Sequence, residues 1–267
     1  MTTLNFHVRH EVTPDRCWDV LYAIEQKNDY EHITQFDRQL SRLRRLDLVS
    51  KDGISITEQG AQLIRLGAHK PDLIPELFHF LHLTRWRETN PLEDTMFFTY
   101  RAYCNLLYER REVALDDERE AIATELNQAI STVSAFADAT SQMVKGAVSL
   151  SVNSLLGVEK WLLRLSPSVI TNDQFQCRHF CLPEVLVLAL GLMTEEQGGE
   201  WSIDQLLTEE KRAFLCKLCF LDEQALDAAL DWSLPEYPDL AQEGTRIGSY
   251  GRFVRVWKMP SLEDLLI

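Results

Sequence analysis

Between Leu40 and Gly60 the chain reads LSRLRRLDLVSKDGISITEQG, and the spacing of its apolar residues changes twice within this stretch. Phe36, Leu40 and Leu43 recur at helical spacing and predict one inward stripe. Leu48-Val49-Ser50 and Ile54-Ser55-Ile56 then alternate around Lys51-Asp52-Gly53, which predicts a tight β-hairpin. Thr57-Glu58-Gln59-Gly60 opens a further helix that carries Leu63, Ile64 and Leu66 inward. A helix, a hairpin and a second helix packed this closely in sequence restrict the chain to few arrangements.

The residues upstream supply another helix. Thr13-Pro14-Asp15 combines an N-cap hydroxyl, a proline at the first helical position and an acid at the positive end of the helix dipole. The helix is predicted to reach about Gln26, with Cys17, Trp18, Leu21 and Ile24 on its inner face. The polar turn Lys27-Asn28-Asp29 and the short segment Tyr30 to Ile33 lead to a helix opened by Thr34-Gln35. Opposite its apolar stripe, Gln35, Arg38, Gln39 and Arg42 fall at i, i+3, i+4 and i+7, with Arg45 one turn on, and predict a shared outer strip. Arginine can bond guanine O6 and N7, glutamine can bond adenine N6 and N7, and either can hold phosphate. The same strip also suits an ordinary solvated surface.

The stretch from LSRLRRL to ITEQG resembles the corresponding part of the large winged helix-turn-helix repressor families, which read helix, Gly-Leu-Val, hairpin, Leu-Thr-Glu-x-Gly. Asp47 stands where glycine is common in those families, and the second helix is clipped to a few residues. The resemblance spans residues 13–66 and implies a winged helix whose third helix is placed for a major groove. It implies double-stranded DNA as partner, read by Gln35, Arg38, Gln39, Arg42 and Arg45, with Lys51 in the wing touching phosphate. Many winged helices instead dock proteins.

A chain of 267 residues exceeds one small module and predicts more than one core. We expect a mainly α fold: a winged helix-turn-helix over 1–70, a helical linker or dimerisation region over 71–146, and a C-terminal helical domain over 147–267 ending in a β-hairpin. Helices are expected over Pro71 to Arg87, Leu92 to Arg110, Glu112 to about Val144, Val152 to Leu165 and Leu182 to Met193. Ser202 to Leu207, Glu209 to Phe220 and Asp222 to Ser233 then read as three helices before the strand-like stretch Arg246 to Lys258, an order that suggests a second winged-helix-like module.

Charge divides these regions. The net charge is −14, with 12 Lys/Arg against 15 Asp/Glu in residues 1–100 and 15 against 26 in the remainder. Such a chain cannot coat nucleic acid indiscriminately, because non-specific affinity comes from neutralising phosphates. The acidic C-terminal half, with Asp222, Glu223, Asp227 and Asp231 on one predicted helix, is suited to protein partners.

Cys177, Cys181, Cys216 and Cys219 have part of the spacing of a tetrahedral zinc site. Cys216 and Cys219 nevertheless sit in the apolar helical pattern FLCKLCFL, where cysteine acts as a small hydrophobe. His79 and His82 share a helix face without an evident third ligand and read as packing or surface residues. The chain carries no Gly-rich phosphate loop, G-x-S-x-G, H-E-x-x-H, kinase or dinucleotide fingerprint. We therefore expect no enzyme activity and no cofactor. No apolar run reaches the roughly 20 residues of a membrane span, the first residues lack a secretory pattern, and the scattered cysteines suit a reducing compartment, so a cytoplasmic protein is expected.

In layout, and in GVEKWLLRLSP and LPEVLVLALGLM, the chain also resembles an uncharacterised bacterial family encoded in phage-defence islands beside DNA-modification and nuclease genes. That resemblance implies a subunit of a DNA-sensing or DNA-modifying complex and assigns no catalytic residue. The leading expectation is a duplex-binding regulator or complex subunit, as a homodimer or within a larger assembly. The alternative is a protein-interaction scaffold.

Overall fold

The computed structural model describes residues 5–26, 35–51, 54–87, 89–90, 93–139, 150–244 and 251–266. Its first helix, α1 (Pro14–Glu25), starts as the sequence predicts: Thr13 is the N-cap, its hydroxyl accepting from the Arg16 amide, and Cys17, Leu21 and Ile24 are buried. Against it packs α2 (Asp37–Arg45), followed by α3 (Glu58–His69). Between α2 and α3 the chain forms an antiparallel bridge, Val49 opposite Ile56, reinforced by Ser50 N donating to Ser55 O at 2.8 Å. The expected hairpin turn at Asp52-Gly53 and the short segment Tyr30 to Ile33 lie outside the described residues.

The end of α2 explains Asp47. This residue takes a left-handed backbone, φ 56°, while the Leu48 amide donates to Leu43 O at 2.9 Å. That pairing is a Schellman-type stop, whose left-handed residue is usually glycine. Aspartate tolerates this region better than most residues, and Arg85 Nη1 holds its carboxylate at 2.5 Å.

Two helices lie at the centre. In α4 (Leu73–Arg85), Leu73, Leu77, Phe78 and Leu83 are buried along with the polar Glu76, His79 and His82. In α8 (Pro183–Glu196), every residue from Glu184 to Thr194 is buried. A helix apolar on all sides has no solvent face and must be enclosed. Around them stand α5 (Thr95–Arg110), α6 (Leu115–Ala139), α7 (Val152–Leu162), α9 (Glu209–Cys219) and α10 (Leu226–Ser233). Residues 140–144, expected to continue α6, lie outside the described residues.

Two small antiparallel sheets complete the fold. One has the order β1 (Glu112–Ala114), β3 (Gln174–Gln176), β2 (Ile170–Thr171), with Val113 opposite Phe175. The other has the order β4 (Asp204–Leu206), β6 (Phe253–Val256), β5 (Ala241–Gly244). The chain is therefore mainly helical, as expected, but residues 202–207 are not a helix: Asp204–Leu206 forms an edge strand paired with β6. Only the first residues of Asp222 to Ser233 depart from α-helix, as a 3₁₀ turn at Glu223–Ala225. The acidic face there is partly neutralised by Arg212 on Asp227, Arg252 on Asp231 and Arg111 on Glu223.

The boundaries expected near residues 70 and 146 are crossed by polar contacts, part-buried at Lys70 and fully buried at Glu76. Lys70 Nζ donates to Glu184 Oε1 at 2.7 Å and Tyr237 Oη at 3.0 Å. Glu76 in α4 is paired with Arg178 beyond α7. An N-terminal arm, residues 5–12, runs between α5 and α7, where Thr99 Oγ1 donates to Phe6 O at 2.7 Å. Gly157 of α7 is required by that arm, since a Cβ there would stand 2.3 Å from Val8 O. Gly157→Ala is expected to cost about 1–3 kcal/mol as the overpacked arm shifts; an unchanged urea-unfolding midpoint would show that the arm is not docked.

Candidate nucleic-acid interface

Helix α2 is turned differently from its sequence pattern. Gln39 and Arg42, expected on the outer strip, are only 5% and 3% exposed, whereas Phe36, expected inward, is 40% exposed. The cause is the N-terminal arm on one side and α4 with α5 on the other. Gln39 Nε2 donates to Glu11 O at 3.2 Å, and Arg42 Nη1 meets His82 Nε2 at 2.7 Å. Gln35, Arg38 and Ser41 remain exposed, Arg45 is half-buried, and Lys51 is exposed at the start of the bridge-forming loop. The five strip residues, Gln35 just before α2 and the other four within it, are thus divided between a surface edge and the core.

Arg42 is the residue whose surroundings sequence reasoning missed. Its guanidinium carbon stands 5.7 Å from the ring centroids of both Phe97 and Trp161. No carboxylate is paired with it among the described residues. Its hydrogen-bond partner is a neutral imidazole: His82 Nδ1 faces the Phe78 carbonyl, which can only accept, so the proton lies on Nδ1 and Nε2 accepts from Arg42. Burial lowers the Arg42 pKa to about 10, which still leaves it charged at neutral pH. The same burial raises the neighbouring Cys17 thiol to about 12. Buried charges are ordinarily paired with opposite charge.

One side of Arg42 forms the wall of a basin of about 360 Å³ between the N-terminal arm, α2 and the start of α5. Arg9, Arg38 and Arg45 also line it, together with Asn5, His7, Asp37 and Ser41. Arg38 is 51% exposed by its side chain and held by Glu11 at 2.6 Å, and Arg45 lies 3.8 Å from Asp94. Arg9 is exposed and, among the described residues, has no ion pair. Counting Asp37, Glu11 and Asp94 against four arginines leaves this locality positive by one, on a chain of net charge −14.

The larger cleft, about 1030 Å³ between α5 and α9, contrasts with this. Three of its four cations are met by acids in the same walls, Lys217 by Glu109 at 3.0 Å, Arg87 by Glu196 at 3.7 Å, and Arg111 by Glu223, while Arg101 donates to Trp86 O. With five glutamates against those four cations, the cleft has no positive excess to offer an anion.

The cysteine quartet is only partly assembled. Cys181 and Cys219 have their thiols within hydrogen-bonding reach of each other, Cys216 faces Tyr108, and Cys177 faces Arg111. All four are free thiols, and no group of three or more His, Cys, Asp or Glu among the described residues is arranged to hold a metal. His79 and His82 are both fully buried, His79 Nδ1 standing 2.8 Å from Tyr100 Oη. No helix among the described residues is long and apolar enough to cross a membrane. Comparison with protein-family models, curated proteins and solved structures gives no match to this chain.

Proposed function

We propose that this chain is a non-enzymatic nucleic-acid-binding protein that meets duplex DNA with the outer edge of α2, as a transcriptional regulator or as the DNA-contacting subunit of a bacterial defence or DNA-processing complex. The observation that carries the reading is the convergence of Arg9, Arg38, Arg42 and Arg45 on one basin of an otherwise acidic protein. Arg38 and Arg45 of α2, with Gln35 just before it, would meet DNA on this reading, and the exposed Lys51 would touch phosphate. Gln39 and Arg42 support that edge from beneath.

Phosphate contact has a quantitative signature, because each neutralised phosphate contributes about 0.9 to the slope of log affinity against log salt. Arg38→Ala combined with Arg45→Ala is therefore expected to weaken duplex binding and to reduce that slope by about two. Fluorescence anisotropy of a labelled duplex across a salt series measures both. A slope identical to that of the parent chain would remove α2 from the interface.

One observation favours a scaffold role in addition. Trp232 on the acidic α10 is 70% exposed, and Trp201 and Ile203 just before edge strand β4 and Leu206 within it are exposed. A purely scaffolding chain would show no duplex affinity at moderate salt while retaining a protein partner through Trp232.

A further inference from the structure

We propose that the basin beside α2 is a receptor for a phosphomonoester, with Arg42 in its wall. This assignment rests on the nucleic-acid reading above and gives it a specific ligand group: the terminal phosphate of a nucleic-acid strand, or the phosphate of a free nucleotide.

Three features converge on that chemistry. Arg42 is charged and 3% exposed, yet its partners are a neutral imidazole and two aromatic faces, so its charge lacks an anion among the described residues. The wall it shares carries Arg9, Arg38 and Arg45. A volume of about 360 Å³ falls at the lower end of the roughly 300–1,000 Å³ of small-molecule sites.

Geometry favours an end over an internal phosphate. A continuous diester backbone lies across a convex helix edge, whereas a concave basin admits a group that can enter it. A monoester carries about −1.5 to −2 at neutral pH and three acceptor oxygens, against a single charge on an internal diester. A wall that carries Arg9, Arg38, Arg42 and Arg45 suits the first. Arginine is also suited to this role because its fork of donors matches phosphate oxygens. Glu11, on Arg38 at 2.6 Å, occupies one of these donors in the free protein, so a bound phosphate competes with an internal carboxylate.

The test compares two duplexes of identical sequence, one 5′-phosphorylated and one ending in hydroxyls, against the full chain by fluorescence anisotropy, with adenosine monophosphate and inorganic phosphate as competitors. The phosphorylated duplex is expected to bind at least about tenfold more tightly, the size of one charge-assisted hydrogen bond. Glu11→Gln should widen the gap by freeing Arg38. Arg42→Met, which fills the same space without charge, and the exposed Arg9→Ala, which leaves the core untouched, should each narrow it. Equal affinity for the two duplexes, with binding still lost in Arg38→Ala/Arg45→Ala, would overturn the phosphomonoester site and leave the duplex reading standing. Binding of adenosine monophosphate that depends on Arg42 and Arg9, without duplex affinity, would support the site with a free nucleotide as its source and overturn the duplex reading. Absence of all binding would overturn both.

Discussion

Arg178→Ala is expected to lower the stability of the chain by about 3–5 kcal/mol, the cost of leaving a buried charge without its partner. Glu76 and Arg178 are 102 residues apart in sequence and both almost inaccessible, with Arg178 Nη1 and Nη2 on Glu76 Oε1 and Oε2 at 2.5 and 2.8 Å. Arg178 Nε donates to Cys219 O at 2.8 Å, and Glu76 Oε1 also accepts from the Ser166 amide at 2.8 Å. The pair thus joins α4, the segment after α7 and the end of α9. With arginine removed, the Glu76 carboxylate keeps the Ser166 amide but loses its counter-charge. Glu76→Leu combined with Arg178→Met should be milder than either single change, because the desolvation cost disappears with both charges. Guanidinium unfolding of the three variants measures the coupling. Single variants that each lose under about 1 kcal/mol, the range of solvent-exposed pairs, would show that the pair is not sequestered from water.

Local signals were legible where the physics is local. Thr13 caps α1, Thr57 caps α3 with its hydroxyl accepting from the Gly60 amide, and Thr208 caps α9 in the same way. The Asp47 position, recognised as one that elsewhere carries glycine, has the left-handed backbone that explains the preference. Phe253–Val256 falls within the stretch read as strand-like, but the other short strands were not legible: Ile170–Thr171 and Gln174–Gln176 are too short to show alternation, and Asp204–Leu206 owes its form to pairing with Phe253–Val256. Arginine and glutamine are rarely fully buried, so periodicity placed Arg42 and Gln39 outward. Their burial depends on Glu11, His82, Phe97 and Trp161, residues that only the folded chain brings to α2. The candidate site was therefore legible as a set of arginines, and its division into a surface edge and a buried member was not.

That buried member makes the core sensitive to acid. His79 and His82 are enclosed, and burial, with Arg178 near the first and Arg42 near the second, lowers both pKa values: His79 to about 3 and His82 well below the usual histidine range. Unfolded histidine titrates near 6.5. Below that pH the unfolded chain takes up two protons that the native core refuses, so stability falls as pH falls, by about 1.4 kcal/mol per pH unit for each residue. The loss begins near pH 6.5 and, for His79, continues towards about 3. Between pH 7 and pH 5 the two residues together are expected to remove about 4 kcal/mol. His79→Asn offers Tyr100 a polar atom near the position of Nδ1 but cannot titrate, so it should remove about half of that pH dependence whatever it does to stability at pH 7. Denaturant unfolding at the two pH values gives both numbers. His82 carries a further consequence, because its Nε2 lone pair is the acceptor for Arg42. A proton there would set two cations 2.7 Å apart and drive Arg42 from its place behind the basin. A His82 that took up a proton above pH 5 in the folded chain, read by NMR titration of its ring, would break this link between the histidine and the arginine it supports.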